Sequence, residues 1–358
     1  MIGTRPEIIK LSPLIHECLD RGIEFVLIHT GQHYSETLDA VFFDQLELPT
    51  PDVRLNVGSG RHGEQTGEML IKLDGILRTI EPDVVLVQGD TNSVLAGAIA
   101  TSKLDAELGH VEAGLRSFDR TMPEETNRVV ADHVSEYLFA PTDQSRQHLL
   151  AEGQPDDRIT VTGNTVVDAL YRNRELAREK STARSELGLG HEEFVLMTAH
   201  RAENVDDEER FDAILAGVDA VGERLDTEVI YPVHPRARDR IEAFGLELPD
   251  RIRSVEPLDY LDFLQLMSTA RLILTDSGGV QEEACVLGTP CVTLRENTER
   301  PETVRVGANR LGGVDRAGIL EAARAMVTRR GTWENPFGDG TASERILETL
   351  DQTIPVKP

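Results

Sequence analysis

Short apolar runs rich in β-branched residues alternate with longer helical patterns along nearly the whole chain. Strands that alternate with helices in this way form βα units, and their strands lie parallel in a sheet. The runs fall into two series, Glu24–Thr30, Val84–Gln88, Glu107–Val111, Tyr137–Ala140 and Ile159–Thr162, and then Phe194–Thr198, Val229–Pro232, Ile252–Val255, Leu272–Thr275 and Pro290–Leu294. The pattern predicts an α/β protein with two Rossmann-like, doubly wound parallel-sheet domains.

A charged stretch of helical pattern, Asn164–Ser185, separates the two series. Near the end, Asn335–Gly340 interrupts the chain before a last helix that starts at about Ala342. We therefore predict one domain of residues 1–163 and a second of residues 164–337, followed by the last helix at 338–358. A chain of 358 residues is too long for one ordinary core and fits two domains of this size.

The composition narrows the class of protein. Hydrophobic residues make up 39% of the chain and charged residues 28%, and no apolar run approaches the roughly 18 residues of a membrane span. The N-terminus does not resemble a signal peptide, so we expect a cytoplasmic protein without a membrane partner. Three cysteines, Cys18, Cys285 and Cys291, form neither a CxxC pair nor a disulfide framework, and we expect them to be reduced core residues.

The charge balance is strongly acidic. The chain has 63 acidic and 37 basic residues, a formal net charge of −26, so phosphate is repelled overall and we expect no nucleic-acid partner. Nearly all positive charge is arginine, because lysine occurs only at Lys10, Lys72, Lys103, Lys180 and Lys357. We interpret this surface as halophilic, suited to a cytoplasm in which salt screens the self-repulsion. An ordinary acidic protein from a GC-rich genome is the alternative.

The first strand-to-helix turn has features of a phosphate site. It reads Gly3-Thr4-Arg5-Pro6-Glu7 and leads into a helix that contains Lys10. Glycine allows a tight turn, and proline suits the first helical position. An arginine and a lysine at a helix N-terminus complement a pyrophosphate. The string is short, and an ordinary surface turn that binds no ligand explains it equally well.

A sharper pattern follows the predicted strand Leu272–Thr275. There, Asp276-Ser277-Gly278-Gly279 opens a helix that carries Glu282 and Glu283. Backbone N–H groups at a helix start bind phosphate oxygens, and glycines admit a close approach. A carboxylate one turn into the helix is placed to accept hydrogen bonds from ribose hydroxyls. An ordinary N-cap followed by a glycine turn is the alternative.

One motif points elsewhere. Gly58-Ser59-Gly60-Arg61-His62-Gly63 matches the GxGxxG dinucleotide fingerprint, but it follows Asp52–Val57, which is not an apolar strand. Glu81 and Asp83, about 20 residues on, lie in a proline-containing turn rather than at the acidic position of the fingerprint. We expect a mobile loop over the substrate rather than a nicotinamide site.

Carboxylates cluster at the ends of successive predicted strands. Asp90 follows Val84–Gly89, Glu112 follows Glu107–Val111, and Glu124 and Glu125 open the next helix. The carboxyl ends of parallel strands converge on one crevice, where neighbouring acids raise each other's pKa as general acid/base catalysis requires. A single acid of this kind is usually a helix cap, but three together favour a site.

Histidines follow two strands of the second series. His200 follows Phe194–Thr198 and His234 follows Val229–Pro232, so we expect both at the same crevice, although either one alone is more often a turn residue. Metal-ligand spacing is absent, and we expect no metal. His110-Val111-Glu112 resembles the HxE of zinc deaminases, but no PCxxC follows it.

Taken together, the strings resemble the non-hydrolysing branch of the UDP-N-acetylglucosamine 2-epimerase family. The resemblance covers almost the whole chain. Its strings are GTRPE at Gly3–Glu7, TGQH at Thr30–His33, QGDT at Gln88–Thr91, GHVEAGLRS at Gly109–Ser117, PEETNR at Pro123–Arg128, TGNTVVDAL at Thr162–Leu170, TAHRAEN at Thr198–Asn204, EPLDYLDF at Glu256–Phe263, TDSGGVQEEA at Thr275–Ala284, TERPE at Thr298–Glu302 and NPFGDGTASERI at Asn335–Ile346.

The resemblance implies a fold and a reaction. The fold is the glycosyltransferase-B type, with the active site in the interdomain cleft, the crossover helix at 338–358 packed on the first domain, and a homodimeric assembly. The implied reaction is reversible epimerisation at C2 of UDP-N-acetylglucosamine (UDP-GlcNAc) to UDP-N-acetylmannosamine (UDP-ManNAc). The C2 proton and UDP leave, 2-acetamidoglucal forms, and reprotonation on the other face precedes the return of UDP. No hydride moves, so no cofactor is expected.

The resemblance also implies roles for single residues. The catalytic residues that match by motif are Asp90, Glu112, Glu124 and His200, and the first base among them stays open. The substrate-binding residues are Arg5 and Lys10 beside the phosphates and sugar, Ser277, Gly278 and Gly279 in the diphosphate loop, Glu283 at the ribose, and Phe263 against uracil.

Two features depart from the family pattern. Only Met1 and Ile2 precede the GTRPE string where the family has several strand residues, so we expect a cropped first strand or a start codon assigned too late. Bacterial members with an activating second substrate site carry Gln at the position of Ser35 and Arg at that of Glu64, although Gln32, His33 and His234 are kept. We therefore expect no activation by substrate of the bacterial kind.

Four other functions remain open at the level of sequence. A hydrolysing epimerase would release free N-acetylmannosamine and UDP, and a related branch acts on UDP-diacetamido-uronic acids. A retaining glycosyltransferase of the same fold would leave Asp90, Glu112 and Glu124 surplus. A non-catalytic UDP-sugar sensor is expected to lose these carboxylates, and none is lost.

Overall fold

The computed structural model describes residues 1–32 and 36–353, which form two compact units. One unit comprises Met1–Ala169 and the C-terminal segment from Phe337, and the other comprises Leu170–Pro336. The predicted boundary after residue 163 lies six residues before the boundary between Ala169 and Leu170. The latter falls inside the helix α7 (Thr165–Lys180). Within the described ranges, no helix is both long and apolar enough to cross a membrane.

The N-terminal unit alternates helices and strands. Its elements are α1 (Arg5–Arg21), β1 (Ile28–His29), α2 (Glu36–Gln45), β2 (Val53–Arg54), α3 (His62–Ile80), β3 (Val84–Gln88), α4 (Asn92–Thr101), β4 (Glu107–Val111), α5 (Pro123–Val134), β5 (Tyr137–Ala140), α6 (Asp143–Ala151), β6 (Ile159–Val161) and, at the C-terminus, α16 (Ala342–Thr353). Strands β3 to β6 form a parallel sheet in sequence order, and β1 pairs parallel with β2.

Two residues occupy the strand position between these two sheets. The backbone of Ile2 pairs in parallel with His29 of β1, and the α-amino group of Met1 donates to Leu86 O of β3 at 2.9 Å. Beside them lies a cavity of about 520 Å³, lined by residues of β1, β3 and the surrounding helices, among them Leu27 and Val85. The prediction of a strand over Glu24–Thr30 is wrong in length, because only Ile28–His29 pairs with β2 as a strand in the described structure.

The C-terminal unit has one continuous sheet. Its elements after α7 are α8 (Ala183–Glu186), β7 (Phe194–Thr198), α9 (Ala202–Val205), α10 (Glu208–Leu225), β8 (Glu228–Pro232), α11 (Pro235–Phe244), β9 (Ile252–Val255), α12 (Tyr260–Thr269), β10 (Leu272–Thr275), α13 (Gly278–Leu287), β11 (Cys291–Thr293), α14 (Pro301–Arg305), β12 (Asn309–Leu311) and α15 (Arg316–Met326). All six strands are parallel, in the order β12-β11-β10-β7-β8-β9.

The strand order reverses once in each unit, and the reversals locate the candidate sites. In the C-terminal sheet the reversal lies between β7 and β10, whose carboxyl ends lead to His200 and to Asp276. In the N-terminal unit it lies between the Met1–Ile2 strand position and β3, which lead to Arg5 and to Asp90. Ligands of doubly wound folds bind at such switch points. The predicted α/β class with parallel sheets is confirmed.

Candidate active site

Two predicted carboxylates lie at the ends of neighbouring strands in the N-terminal unit. Asp90 follows β3 and Glu112 follows β4, and the two strands pair in register from Val84 with Glu107 to Gln88 with Val111. A Cβ atom placed on Gly89 would lie 3.8 Å from Glu112 Oε2. The Glu112 carboxylate therefore packs against the residue that precedes Asp90, and the fold brings the two acids together.

Each of the two carboxylates has a cationic partner. Lys10 Nζ of α1 lies 2.7 Å from Glu112 Oε1, and the Gln88 amide donates to Glu112 Oε2 at 2.5 Å. Arg128 of α5 pairs with Asp90 Oδ2. The Asp90 side chain is 35% exposed, whereas that of Glu112 is 5% exposed. Sequence reasoning missed Arg128 as a site residue, although it ends the quoted PEETNR string.

The helix α5 carries two glutamates with different environments. Glu124 is half-buried, whereas Glu125 is buried and accepts hydrogen bonds from Ser117 N, Ser117 Oγ and Phe118 N at 2.9–3.0 Å. Burial alone would raise the pKa of Glu125, but these bonds and the charge of Arg128 outweigh it and lower the pKa. Glu125 therefore anchors the loop before α5, and Glu124, the predicted catalytic residue, is one residue away on the first turn.

Asp90 is also fixed through its backbone. Asn127 of α5 donates from Nδ2 to Asp90 O at 2.9 Å, so α5 binds the backbone carbonyl of Asp90 as well as its carboxylate. Neither Asn127 nor Gln88 was singled out from the sequence, because an amide carries no distinctive pattern. The sequence indicated these two residues as site residues only through their positions inside the QGDT and PEETNR strings of the family.

The turn that presents Arg5 is held by a buried carboxylate. Glu7 accepts hydrogen bonds from Gly3 N at 2.5 Å, Thr4 N at 2.9 Å and Thr91 Oγ1 at 2.5 Å. Burial raises the pKa of Glu7 to about 7, in spite of these bonds. The turn also needs glycine, because a Cβ atom on Gly3 would lie 2.1 Å from Ser93 Oγ.

The first basic residue of that turn is open to a ligand. Arg5 is exposed, and its guanidinium carbon lies 5.4 Å from the centroid of the Phe42 ring, a cation–π distance. Lys10 lies further along the same helix and points to Glu112. The N-terminal unit therefore brings four of its predicted residues, Arg5, Lys10, Asp90 and Glu112, to the start of α1 and the adjoining strand ends.

The second unit holds His200 through a buried aspartate. Asp276 Oδ2 accepts hydrogen bonds from His200 N and Arg201 N at 2.9 Å each and from Asn204 Nδ2 at 3.2 Å, while its Oδ1 lies 3.1 Å from His200 Nδ1. The His234 ring centroid is 5.6 Å from that of His200. Burial and then the charge of His200 lower the pKa of His234. The two predicted histidines are therefore neighbours.

The predicted diphosphate loop starts α13. Ser277 is the N-cap of this helix and accepts a hydrogen bond from Val280 N at 3.5 Å, and the helix begins at Gly278. A Cβ atom on Gly278 would lie 3.6 Å from Glu299 Oε2 and 3.9 Å from Arg201 Nη2, and these two side chains pair with each other. Backbone N–H groups at the first turn of a helix form a suitable anion site, and this ion pair lies beside it.

The predicted ribose and uracil contacts lie on neighbouring helices. Glu283 is half-buried on α13, and Phe263 is half-buried on α12. Burial, and then the charge of Glu283, raise the pKa of Tyr260, the first residue of α12. The helices α12 and α13 pack against each other, so the two predicted contacts belong to one region of the C-terminal unit.

Other sequence features fall outside these two sites. The helix α3 begins at His62, inside the GxGxxG string, and Gln65 Nε2 donates to Gly58 O at 2.6 Å. Glu64 is exposed and pairs with Arg61. His33 and Ser35 lie outside the described residues, so the structure does not test the expectation about activation by substrate.

The cysteines are unbonded thiols, and Cys285 and Cys291 are buried. Burial raises the pKa of Cys285 to about 12 and that of Cys18 to about 11. The protonated form therefore dominates at neutral pH at both positions, which argues against a thiolate nucleophile.

Comparison with known proteins places this arrangement in a family. The family model of UDP-N-acetylglucosamine 2-epimerase matches residues 16–351. The chain belongs to this family. A UDP-N-acetylglucosamine 2-epimerase of Methanocaldococcus jannaschii is 51% identical over 98% of this chain and 97% of its own length. A solved structure of the M. jannaschii enzyme in complex with UDP-GlcNAc and UDP matches with a TM-score of 0.82 and 51% identity, covering 98% of both chains.

The family also contains a relative with another named substrate. The UDP-2,3-diacetamido-2,3-dideoxy-D-glucuronate 2-epimerase of Pseudomonas aeruginosa is 40% identical over 98% of this chain and 98% of its own length. The fold-class prediction and the predicted family of epimerases are confirmed by these comparisons. The roles assigned to single residues stay predictions.

Proposed function

We propose that this protein interconverts UDP-GlcNAc and UDP-ManNAc by inverting C2 of the sugar. One observation carries the proposal: Asp90 and Glu112 lie at the ends of adjacent parallel strands, each with its own cation, in a chain that belongs to the UDP-N-acetylglucosamine 2-epimerase family. Removal of a proton from carbon and its return from the other face require acid/base groups on a rigid frame.

The two carboxylates are suited to different tasks. Asp90 is the more exposed, at 35% against 5%, and a sugar can reach it directly. The Glu112 carboxylate forms an ion pair with Lys10 and accepts a hydrogen bond from Gln88, so we infer that it holds the Lys10 ammonium in place. Glu124 and His200 are the further acid/base candidates, and both are at least partly exposed to a ligand.

The reaction requires proton transfer at C2 and also binding of the departing UDP. The bond from C1 to the UDP oxygen breaks as the C2 proton is taken, 2-acetamidoglucal forms, and the oxygen of UDP returns to C1 after C2 is protonated on its other face. One positioned base contributes only about 10²–10⁴-fold, so the departing UDP must be held as well. Ser277, Gly278 and Gly279 at the start of α13 supply N–H groups for the diphosphate, with the Arg201–Glu299 ion pair beside them.

The recognition roles follow the same logic. Arg5 and Lys10 are cations at the start of α1 for phosphate and sugar oxygens. Glu283 is a carboxylate for the ribose hydroxyls, and Phe263 is an aromatic surface for uracil. Loss of the Glu283 or the Phe263 contact is expected to raise KM more than it lowers kcat, because ribose and uracil do not react.

The decisive experiment is incubation with UDP-GlcNAc in D2O at high salt, followed by NMR of the products. Deuterium at C2 together with UDP-ManNAc supports the proposal. Free N-acetylmannosamine with UDP indicates the hydrolysing reaction instead. A folded protein that binds UDP but exchanges no C2 proton contradicts it, and turnover of a UDP-diacetamido-uronic acid alone would assign the chain to the activity named for the P. aeruginosa relative.

Substitutions test the carboxylates directly. Asp90→Asn, Glu112→Gln and Glu124→Gln are each expected to keep UDP binding and to lose about 10²-fold or more in kcat. Glu64→Gln is the matched control, because Glu64 is exposed and pairs only locally with Arg61 in the described structure. Normal turnover in all three test variants would show that these acids do not perform the chemistry.

We further infer a homodimer that works in a high-salt cytoplasm. The net charge of −26 and the scarcity of lysine support the environment, because screening by salt reduces repulsion within and between copies. The expected result is a melting temperature that rises between 0.1 M and 2 M KCl, with a dimer in light scattering at the upper concentration. A melting temperature that is independent of salt would contradict this inference.

A further inference from the structure

His110 is the penultimate residue of β4, and its side chain is fully buried together with that of Asp132 of α5. Both ring nitrogens have partners in the described structure. Nε2 lies 2.8 Å from Gly89 O, and Nδ1 lies 2.6 Å from Asp132 Oδ1. The epimerisation chemistry proposed above does not use this histidine.

The partners fix the protonation state of the ring. A carbonyl oxygen only accepts, so Nε2 must carry a hydrogen. Asp132 Oδ2 accepts from Gly114 N at 3.1 Å and lies 2.7 Å from Arg116 Nη2, so the carboxylate is ionised and only accepts as well. Nδ1 must then also carry a hydrogen, and the ring is an imidazolium.

The electrostatics agree with this assignment. Burial alone would lower the pKa of His110, but the charge and hydrogen bond of Asp132, the bond to Gly89 O and the charge of Glu112 together outweigh it, and the pKa is raised. Burial alone would raise the pKa of Asp132, but His110 and Arg116 outweigh it and the pKa is lowered. Each partner therefore favours the charged form of the other.

The imidazolium connects the backbones that carry the two strand-end acids. Its Nε2–H holds the carbonyl of Gly89, whose N–H in turn donates to Val111 O at 3.1 Å, and Asp90 is the next residue. Its Nδ1–H holds Asp132, which binds Gly114 N, two residues after Glu112. Both turns depend on one buried cation.

Glu112 needs such support because its backbone is strained. Its φ angle is +69°, in the left-handed region that residues with a side chain rarely adopt. A residue in this region persists only where surrounding contacts determine its conformation. The Asp132 bond to Gly114 N is one such contact, and the bond from Ala113 N to Phe139 O at 3.1 Å is another.

We propose that His110 is a positioning residue, a permanently charged imidazolium that fixes Asp90 for proton transfer and Glu112 as the support of the Lys10 ammonium. The catalytic part of this proposal rests on the proposed epimerase function. The charged groups around the pair come from several elements: Asp132 from α5, Arg116 from the loop after β4, Glu152 from the end of α6, and Glu112 with its partner Lys10 of α1. With His110 charged, three cations face three carboxylates, and neutralising it leaves one carboxylate without a counterion.

The protonation state can be measured without any assumption about the reaction. In the full chain labelled with ¹⁵N-histidine, one ring is expected to have both nitrogens protonated at pH 7 and to remain so after the exposed histidines have titrated. This signal should be missing from His110→Gln, which assigns it. A His110 ring that is a neutral tautomer at pH 7 would overturn the proposal.

Kinetics test the positioning role. His110→Gln is expected to lower kcat for UDP-GlcNAc by about 10²-fold, the scale of a small misplacement of reacting groups, with KM and UDP affinity changed less than about threefold. The acid limb of the kcat profile should also move to higher pH, because the variant lacks a positive charge that favours ionised Glu112. Lower stability with an unmoved acid limb and unchanged kcat would overturn the proposal.

Two further variants make the result specific. Asp132→Asn alone is expected to lower kcat, and combined with His110→Gln it should recover part of the loss, because a neutral pair replaces an unpaired buried carboxylate. The matched control is His133→Gln, a histidine exposed on the same helix that bonds only to Val129 O in the described structure, and it should leave kcat unchanged. If the wild-type chain does not epimerise UDP-GlcNAc, the proposed function fails while the ¹⁵N result still decides the charge of His110.

Discussion

A buried carboxylate holds the same kind of turn in each unit, but its pKa is raised in one unit and lowered in the other. In the N-terminal unit, Glu7 accepts hydrogen bonds from two successive backbone N–H groups, those of Gly3 and Thr4. In the C-terminal unit, Asp276 does the same for His200 and Arg201. Both carboxylates are buried, and both turns follow a strand position at a reversal of strand order.

The two carboxylates nevertheless differ in pKa. Burial raises the pKa of Glu7 to about 7. Burial would also raise the pKa of Asp276, but the contact with His200 and the bonds from the backbone outweigh it and lower the pKa. A difference in charged neighbours accompanies this difference in pKa: the His200 imidazole lies beside Asp276, whereas the α-amino group of Met1 acts on Glu7. One buried carboxylate is therefore readily protonated, and the other stays ionised.

The largest expected effect comes from removing the ionised carboxylate. Asp276→Ala leaves the N–H groups of His200 and Arg201 without this acceptor, while Asn204 Nδ2 keeps only its bond to Leu294 O. The free energy of unfolding should therefore fall by about 4 kcal/mol at pH 7. Urea unfolding measures this directly. The lowered pKa makes the contribution of Asp276 present above its unfolded pKa of about 3.8 and lost as the pH falls through the folded value, so the deficit should shrink in acid.

The matched control for this variant is Asp315→Ala. Asp315 also accepts from two backbone N–H groups, those of Ala317 and Gly318 at 3.0 Å, but it is exposed at the start of α15. Its loss should cost only about 1 kcal/mol, the usual value of a helix cap. Equal costs for the two substitutions would show that burial of the Asp276 turn adds nothing.

Glu7 should show the opposite dependence on pH. Its folded pKa of about 7 exceeds the unfolded value of 4.5, so its contribution is complete below about pH 4.5 and is lost as the pH rises through 7. Between pH 5 and pH 8 the wild type should therefore lose about 2–3 kcal/mol relative to Glu7→Gln. Urea unfolding of both proteins at several pH values gives this difference, and the Met1 amine, present in both, largely cancels. A constant difference would mean that Glu7 is ionised throughout.

Six strands have the predicted bounds, and one of them, Ile252–Val255, lies at an edge of its sheet. The strand β8, which has neighbours on both sides, begins one residue before the prediction, at Glu228. Val84–Gln88, Glu107–Val111, Phe194–Thr198 and Leu272–Thr275 have the predicted bounds, because strands covered on both faces have continuous apolar runs. The strand β12 was missed, since Asn309 and Arg310 carry no such signal at the edge of the sheet.

The candidate site was predictable in part for the same reason. The position of Asp90 and Glu112 follows from topology alone, because each acid comes directly after a predicted parallel strand. Their partners were not predictable, since Arg128 and Lys10 reach them from helices 38 and 102 residues away in the chain. The same limit applies to His110, which the HxE string indicated only as a rejected zinc ligand and whose partner Asp132 lies on the next helix.

The smallest expected effect concerns the strand position that precedes the Glu7 turn. Five residues of β7 precede His200, whereas Met1 and Ile2 alone hold the corresponding position in the described N-terminal unit, beside a cavity of about 520 Å³. An added Val-Ile-Val segment before Met1 should pair with β1 and β3 and raise the free energy of unfolding by about 2 kcal/mol, as apolar burial outweighs the ordering of three residues.

A Ser-Gly-Ser extension is the control that separates the stability gained from apolar burial from the effect of removing the charged Met1 amine. Burial lowers the pKa of the Met1 amine to about 6, so the unextended chain gains stability as the pH rises from 6 to 8, and both extensions remove this dependence by forming an amide. Only the apolar extension should also raise stability at pH 8, where the amine is neutral in the folded state and half protonated in the unfolded state, so that its remaining effect is small. Equal stability of the two extended proteins at pH 8 would mean that the cavity does not accept a strand, and that the Glu7 turn is held by its side-chain bonds without help from the sheet.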